Sequence, residues 1–245
     1  MRKILTIDCW NTLVKPSGDK EAVIYLLSQR LRVPYDLLYH TVENLKERIK
    51  PEHHNVSNYM FWHYIKVELG LTIPVYRILA HAEEAYQMYS PQMINPDGWR
   101  DMVSTAQKNN FEVKILSNTG YLKSEWMNDW ITHNFRFFDK VPFIGSDLIG
   151  IAKPNKEFYL TALDGVFNPS EDRWLHIGDS VVLDIDPVKS LGGTAVEFEH
   201  WGTLDNKALK EFFLSMRIVT HTITDENKLS FSPYQYSLFK HGSRS

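Results

Sequence analysis

Residues 4–8, Ile4-Leu5-Thr6-Ile7-Asp8, form a short apolar, β-branched run that closes on a single carboxylate. Such a run predicts a strand covered on both faces, where the alternation of a half-exposed strand is lost. Asn11 and Thr12 follow, short polar side chains suited to a turn, and Lys15-Pro16-Ser17-Gly18 make a turn-rich exit. The rhythm then becomes helical. Val23, Leu26, Leu27 and Leu31 predict a helix over 20–31, and Leu38, Val42, Leu45 and Ile49 a second over 35–50. Met60, Phe61, Tyr64 and Ile65 predict a third, with Ser57 as its N-cap, and Ile78, Leu79, Ala82 and Tyr86 a fourth over 76–89.

From Asn95 the pattern changes again. Pro96, in the favoured first helical position, opens a helix to about Asn109. Strands at 111–116, 143–144, 174–177 and 194–198 then alternate with helices over 121–135, from Lys153 to Leu163, and from Ser180 to Leu191. This alternation predicts an α/β fold with a doubly wound parallel sheet covered on both faces. The helical block interrupts it after the first strand and reads as an inserted α-helical cap domain. The predicted division is 1–15 and 95–220 for the α/β core and 16–94 for the cap. The polar tail, 221–245, has Tyr234, Tyr236, Leu238 and Phe239 as its apolar anchors.

Composition narrows the function classes. The 245 residues carry a net charge of −3, so no global positive field favours nucleic acid or an anionic membrane. Cys9 is the single cysteine, which excludes an intramolecular disulfide and any cysteine-rich zinc pattern. Met1-Arg2-Lys3 leads into too short an apolar run for a signal peptide, and no apolar stretch approaches the roughly 20 residues of a membrane span. The expectation is a soluble, cytoplasmic protein with a small-molecule partner and no nucleic-acid or membrane partner. The sequence leaves the oligomeric state open.

Four chemistry-bearing features fall at predicted strand ends or at the helix starts beside them: Asp8, Ser117-Asn118, Lys153, and Asp179 with Asp184. Singly, each has a plain structural role as a cap or a solvated first-turn residue. Together, in a doubly wound sheet, they face one crevice at the carboxyl ends of the strands. Converging carboxylates repel one another unless a cation joins them, and hard oxygen ligands suit Mg²⁺, which also takes substrate phosphate. Lys153 would neutralise an incoming anion, Ser117 would donate to a phosphate oxygen, and Asp8 would attack phosphorus to form an aspartyl phosphate that water hydrolyses.

The same residues carry a resemblance to a known family, the haloacid dehalogenase (HAD) superfamily. Asp8-Cys9-Trp10-Asn11-Thr12-Leu13 resembles its first motif and Leu116-Ser117-Asn118 its second. Gly150-Ile151-Ala152-Lys153-Pro154 is similar to its third, and Gly178-Asp179-Ser180 with Asp184 to its fourth. The resemblance spans roughly residues 1–200. It implies a Rossmann-like core, a helical cap of the first type and an Asp8 nucleophile. It also implies Mg²⁺ held by Asp8, the backbone carbonyl of Trp10 and Asp179, with Asp184 at or near the metal. On this reading the chain is a Mg²⁺-dependent phosphatase of a small phosphorylated metabolite, with Ser117, Asn118 and Trp10 at the substrate.

Trp10 departs from the pattern. Family phosphatases usually carry a second Asp two positions after the nucleophile, to protonate the leaving group, and that help is worth roughly 10²–10⁴ in rate. Family dehalogenases commonly place an aromatic residue there, because halide leaves without a proton, but they do not usually keep the acidic fourth motif. Two alternatives therefore stand beside the phosphatase: a metal-independent dehalogenase using Asp8 against carbon, and a binding protein on the same fold without turnover. In the cap, Lys46, Arg48 and Lys50 form a basic stretch followed by His53-His54. It reads as a solvated helix end or as a patch for an anionic substrate. Lys50 is also the candidate by position for a Schiff base of the family's phosphonate-cleaving kind.

Overall fold

The computed structural model describes residues 1–15, 20–49, 58–87, 91–119, 122–165, 167–199 and 203–204. Ser57, Lys50, His53, His54 and the tail 221–245 lie outside the described residues. The chain opens with strand β1 (Lys3–Asp8) and then forms half of a two-stranded antiparallel ribbon, β2 (Val14–Lys15) with β3 (Gln92–Met93). Between the two ribbon strands run four helices, α1 (Lys20–Leu31), α2 (Tyr35–Arg48), α3 (Asn58–Glu68) and α4 (Val75–Gln87). They share an apolar cluster of their own, with Leu27, Leu38, Val42, Trp62, Ile65 and Ile78 fully buried in it. The ribbon brings the outgoing and returning chain side by side, so the insertion leaves β1 where it was.

The remainder alternates as expected: α5 (Pro96–Lys108), β4 (Glu112–Ser117), α6 (Ser124–Asn134), β5 (Phe143–Gly145), α7 (Ser146–Ile149), α8 (Lys156–Ala162) and β6 (Arg173–Gly178). After β6 come a π-helical turn (Val181–Ile185), α9 (Asp186–Ser190), β7 (Thr194–Glu199) and β8 (Thr203–Leu204). Five strands run parallel in the order β5-β4-β1-β6-β7, and β8 pairs antiparallel to β7 at the edge. This is the doubly wound sheet that the alternation predicts. The chain winds from β1 outward through β4 to β5, then resumes on the other side of β1 at β6. The crevice expected of such a switch lies at the carboxyl end of β1, where Asp8 stands.

The two faces of the sheet differ in character. Leu5 and Ile7 of β1, with Val113, Ile115, Leu175 and Ile177, pack under α5 and α6 in an apolar cluster. The opposite face carries Ile4, Leu116 and Trp174 against Phe158, Tyr159 and Val188. By strand alternation it also carries Thr6, Asp8, Lys114 and His176, all buried. The unbroken apolar look of the strands therefore conceals one face with a polar seam.

Three helix starts differ from expectation: the helix expected over 121–135 begins at Ser124, and two others shift for local reasons. The helix expected from Lys153 begins at Lys156, because Asn155 is its N-cap and accepts a hydrogen bond from the Glu157 N–H. Lys153 stays in the preceding turn. The helix expected after Ser180 opens instead as a π turn, with the N–H groups of Ile185 and Asp186 bonded five residues back to Ser180 and Val181. No described helix is long and apolar enough to cross a membrane.

Lys114 marks the amino end of the polar face. Its buried ammonium donates to the Ala162 carbonyl (2.9 Å) and pairs with Asp164 (2.9 Å) and Glu112 (2.9 Å), which Arg2 also bridges. Hydrogen bonds from Lys114 hold the Asp164 carboxyl below its usual range. Burial raises that of Glu112, but Lys114 and Arg2 outweigh it and the net shift is downward. Depressed carboxyls stabilise the fold above the unfolded value, about pH 4, and that contribution is lost as pH falls through the folded values. Asp164→Asn is expected to flatten the acid limb of stability below about pH 4 by under about 1 kcal/mol, since Asp164 is solvent-exposed. Urea denaturation at pH 3 and pH 7 reads the difference.

Candidate active site

Strand geometry brings the candidate residues to one end of the sheet. Asp8 closes β1, level with Leu116 in β4, so Ser117 and Asn118 emerge beside it. Gly178 closes β6 next to β1, and Asp179 and Ser180 follow. The π turn then folds Asp184 back over the strand end. Its N–H bonds the Ser180 carbonyl (2.8 Å) and its Oδ2 accepts the Ser180 N–H (3.2 Å). A Cβ at Gly178 would lie 2.4 Å from the Asp184 Cγ, so the close approach requires glycine there.

Lys153 ties the set together. Its Nζ donates to Asp8 Oδ1 (2.5 Å) and to Asp184 Oδ1 (2.6 Å), and all three side chains are buried. The loop bearing Lys153 is held by Asn118, whose Oδ1 accepts the Lys153 N–H (2.8 Å) and whose Nδ2 donates to the Lys153 carbonyl (2.9 Å). Asn118 is thus engaged with the backbone of the lysine. Asn118→Ala removes both partners of a part-buried peptide unit and is expected to cost about 1–3 kcal/mol, measurable as a shift in urea midpoint.

Further bonds fix the loop after β4. The Thr119 N–H donates to Ser146 Oγ (3.0 Å), Thr119 Oγ1 donates to Asp147 Oδ1 (3.0 Å), and Asp147 Oδ2 accepts the Ser124 N–H (3.0 Å). Ser117 is fully buried, with its Oγ 3.4 Å from the Asn118 carbonyl and hydrogen-bonded to Cys9. Trp10 lies half-buried against the core, bridging to Val14 through its backbone. The Thr12 hydroxyl is buried and meets no partner among the described residues.

The carboxylates differ in charge state. Burial pushes the Asp8 carboxyl up to about 7, against the pull of Lys153. Burial raises Asp179 as well, the Asp184 charge adds to it, and a hydrogen bond from the Asn11 side chain opposes it. Burial also acts on Asp184, but Lys153 and His176 outweigh it and hold this carboxyl below its usual range. Desolvation lowers Lys153, but Asp184 and Asp8 prevail and keep it a firm ammonium. Burial lowers His176 despite its bond to Asp184, favouring the neutral imidazole.

Asp8, Asp179 and Asp184 each offer an oxygen within 4.8 Å of the others. Among the described residues one ammonium, that of Lys153, touches this cluster, and burial disfavours a charge on its imidazole neighbour. When all three carboxylates ionise, the pocket lacks two positive charges. An all-oxygen donor set with that deficit fits a hard divalent cation.

No protein-family model matches the sequence, and no curated protein does. Solved structures do. A 2-haloacid dehalogenase from Pseudomonas syringae pv. tomato aligns with a TM-score of 0.55 at 16% identity, over 88% of this chain and 100% of its own. An HAD phosphatase from Thermococcus onnurineus aligns with a TM-score of 0.51 at 18% identity, over 80% and 86%. The HAD family enzyme bt-2542 from Bacteroides thetaiotaomicron, in its magnesium complex, aligns with a TM-score of 0.51 at 21% identity, over 85% and 98%. The chain has the HAD fold. Sheet order and the helical insertion after the first strand thus agree with the fold that the four motifs imply.

Within this HAD fold the structure brings Asp8, Lys153, Asp179 and Asp184 into one cluster, with Ser117 at the end of β4 and Asn118 on the loop that follows. It adds residues that the sequence reading passed over. Asn11, at a positive φ of 61°, reaches Asp179 from the turn after β1. His176 reaches Asp184 from inside β6 (Nε2 to Oδ1, 3.2 Å). Their signals were present: an Asn where a left-handed residue is needed, and a polar ring inside Trp174-Leu175-His176-Ile177.

Proposed function

We propose that the chain is a Mg²⁺-dependent phosphatase acting on a small phosphorylated molecule, with Asp8 as nucleophile. The observation that carries this reading is the convergence of oxygens from Asp8, Asp179 and Asp184 within 4.8 Å of one another, with Lys153 as the one ammonium touching them among the described residues. Magnesium bound to bt-2542 in the same fold supports it. Asp8, Asp179 and Asp184 would hold the ion, with the Trp10 carbonyl as a further ligand. When bound, Mg²⁺ supplies Lewis-acid charge to phosphoryl oxygens and screens the carboxylates from the incoming phosphate.

The chain's own groups do the rest. Lys153, hydrogen-bonded to Asp8, pulls that carboxyl toward its ionised form against burial and aims it. An Asp8 oxygen forms a bond to phosphorus as the bond to the leaving oxygen breaks, and the leaving group takes the electron pair. Water then attacks the aspartyl phosphate at phosphorus, releasing phosphate and the free carboxylate. Ser117 orients the phosphoryl group, and Asn118 holds the lysine loop. The helices between β2 and β3 serve as a cap over the crevice, and the proposed setting is the cytoplasm.

Trp10 favours a second reading. An indole carries no proton to a leaving oxygen, and halide needs none, so Asp8 would instead displace halide from carbon without metal. One experiment separates the two. Hydrolysis of p-nitrophenyl phosphate and a panel of phosphometabolites is measured with Mg²⁺ and with EDTA, beside halide release from 2-haloacids. Nitrophenolate departs unprotonated, so the absence of an acid at position 10 does not mask a working nucleophile. Mg²⁺-dependent phosphate release abolished by EDTA is expected. Halide release that persists in EDTA, with no phosphate release, would reverse the assignment, and silence in both assays would leave a binding protein.

A further inference from the structure

A buried polar seam runs beneath the carboxylates, from β6 through β1 and back. Trp174, Thr6 and His176 lie on the same face of the sheet, Thr6 in register with His176 and two residues before Asp8. The Trp174 indole N–H donates to Thr6 Oγ1 (2.7 Å), and Thr6 Oγ1 lies 2.8 Å from His176 Nδ1. His176 Nε2 lies 3.2 Å from Asp184 Oδ1, the oxygen that also takes the Lys153 ammonium. Thr6, Trp174 and His176 are all fully or almost fully buried, away from competing water.

Proton counting fixes the direction of the seam. The indole can only donate, so the Thr6 oxygen accepts from it. At the far end Asp184 Oδ1, 3.2 Å from His176 Nε2, is a carboxylate oxygen that can only accept, so a neutral ring carries its proton on Nε2. That leaves Nδ1 to take the Thr6 hydroxyl proton at 2.8 Å in preference to the Leu175 carbonyl at 3.4 Å. His176 Nδ1 is therefore the acceptor, and the ring proton sits on Nε2, facing Asp184. We infer that His176 is a positioning residue: its Nε2–H orients the Asp184 carboxylate, which in turn places the Lys153 ammonium against Asp8 and presents Asp184 to the cation.

Several features argue against a purely space-filling role. Apolar side chains occupy neighbouring positions of β6, and an apolar residue at 176 would remove a buried polar group from the centre of a sheet. The ring is retained where each nitrogen has a partner, and one partner belongs to the carboxylate cluster. Such outer contacts to ligating side chains change metal affinity or activity by about 10–100-fold when removed.

The test needs no substrate. Long-range ¹H–¹⁵N NMR of the metal-free protein at pH 8 reads the His176 ring directly: a protonated Nε2 is expected, and a bare Nε2 overturns the inference. Calorimetric titration with Mg²⁺ alone, which rests on the metal reading above, then compares two variants. His176→Leu is expected to bind Mg²⁺ about 10–100-fold more weakly. His176→Gln places an amide N–H near the Nε2 position and is expected to recover most of that loss. Equal affinity in His176→Leu and the parent overturns the inference, as does a Gln variant as weak as Leu although circular dichroism shows both folded. A parent that binds no Mg²⁺ would sink the metal reading, while the NMR result would still decide the role of His176.

Discussion

Asp8→Asn is expected to abolish phosphate release, by at least about 10⁴-fold in kcat, and at the same time to make the metal-free protein more stable. The first effect follows from chemistry: an amide oxygen does not displace an alkoxide from phosphorus, and no other carboxylate of the cluster closes β1. The second follows from the pocket. Burial pushes the Asp8 carboxyl up to about 7, with Asp184 reinforcing the shift and Lys153 opposing it. A free carboxylate in the unfolded chain titrates near 3.9. Between those values the folded protein binds the extra proton, so the contribution of Asp8 to stability falls as pH rises from about 4 to about 7. The near-isosteric amide escapes this cost. With EDTA present, its advantage is expected to be about 4 kcal/mol at pH 8 and to fade by about pH 4, where Asp8 is protonated in the folded and unfolded chains alike. Urea midpoints at the two pH values read it. A nucleophile that the fold would be more stable without is the usual signature of a site kept for function. An Asn variant no more stable than the parent at pH 8 would mean that Lys153 fully compensates the Asp8 charge.

Much of this arrangement was legible in the linear sequence, and the reason is topological. In a parallel doubly wound sheet every strand delivers its carboxyl end to the same edge, so polar residues that punctuate apolar runs converge without any contact being visible. Asp8, Ser117-Asn118 and Asp179 are such punctuation. Asn11 and His176 were not legible in the same way, because their significance depends on which strands lie side by side. Thr6 and His176 are 170 positions apart and meet only because β1 pairs with β6 in one register. Local geometry hid two more features. Lys153 looked like the first residue of a helix, but Asn155 takes the cap and Asn118 takes the lysine's backbone. The π turn that carries Asp184 has the same apolar spacing as the α-helix expected there. Only its hydrogen bonds, offset by one residue, turn the carboxylate back over Gly178.

Removing the other partner should have the opposite sign. Lys153→Met is expected to destabilise the metal-free protein by about 3–5 kcal/mol at pH 8, because it strands two buried carboxylates, Asp8 and Asp184, that share the ammonium at 2.5 and 2.6 Å. The methionine chain fills the volume of the lysine stem, so the loss measures charge more than packing. Acid should soften it, since a proton on Asp8 relieves the repulsion. Combining Lys153→Met with Asp8→Asn should recover part of it, giving a coupling on the order of 1–3 kcal/mol for residues in direct contact. Mg²⁺ in excess should stabilise the Lys153→Met protein as well, because it supplies positive charge to the same carboxylates. Turnover should nonetheless fall by roughly 10²–10³, because in the proposed reaction the ammonium steadies Asp8 and offsets the charge that would develop on the phosphoryl group. Chemical denaturation of the single and double variants, with Mg²⁺ and with EDTA, resolves all of these. Were Lys153→Met as stable as the parent at pH 8, Asp8 would be protonated in the metal-free protein. The charge deficit would then shrink from two to one, and with it the case for a divalent ion.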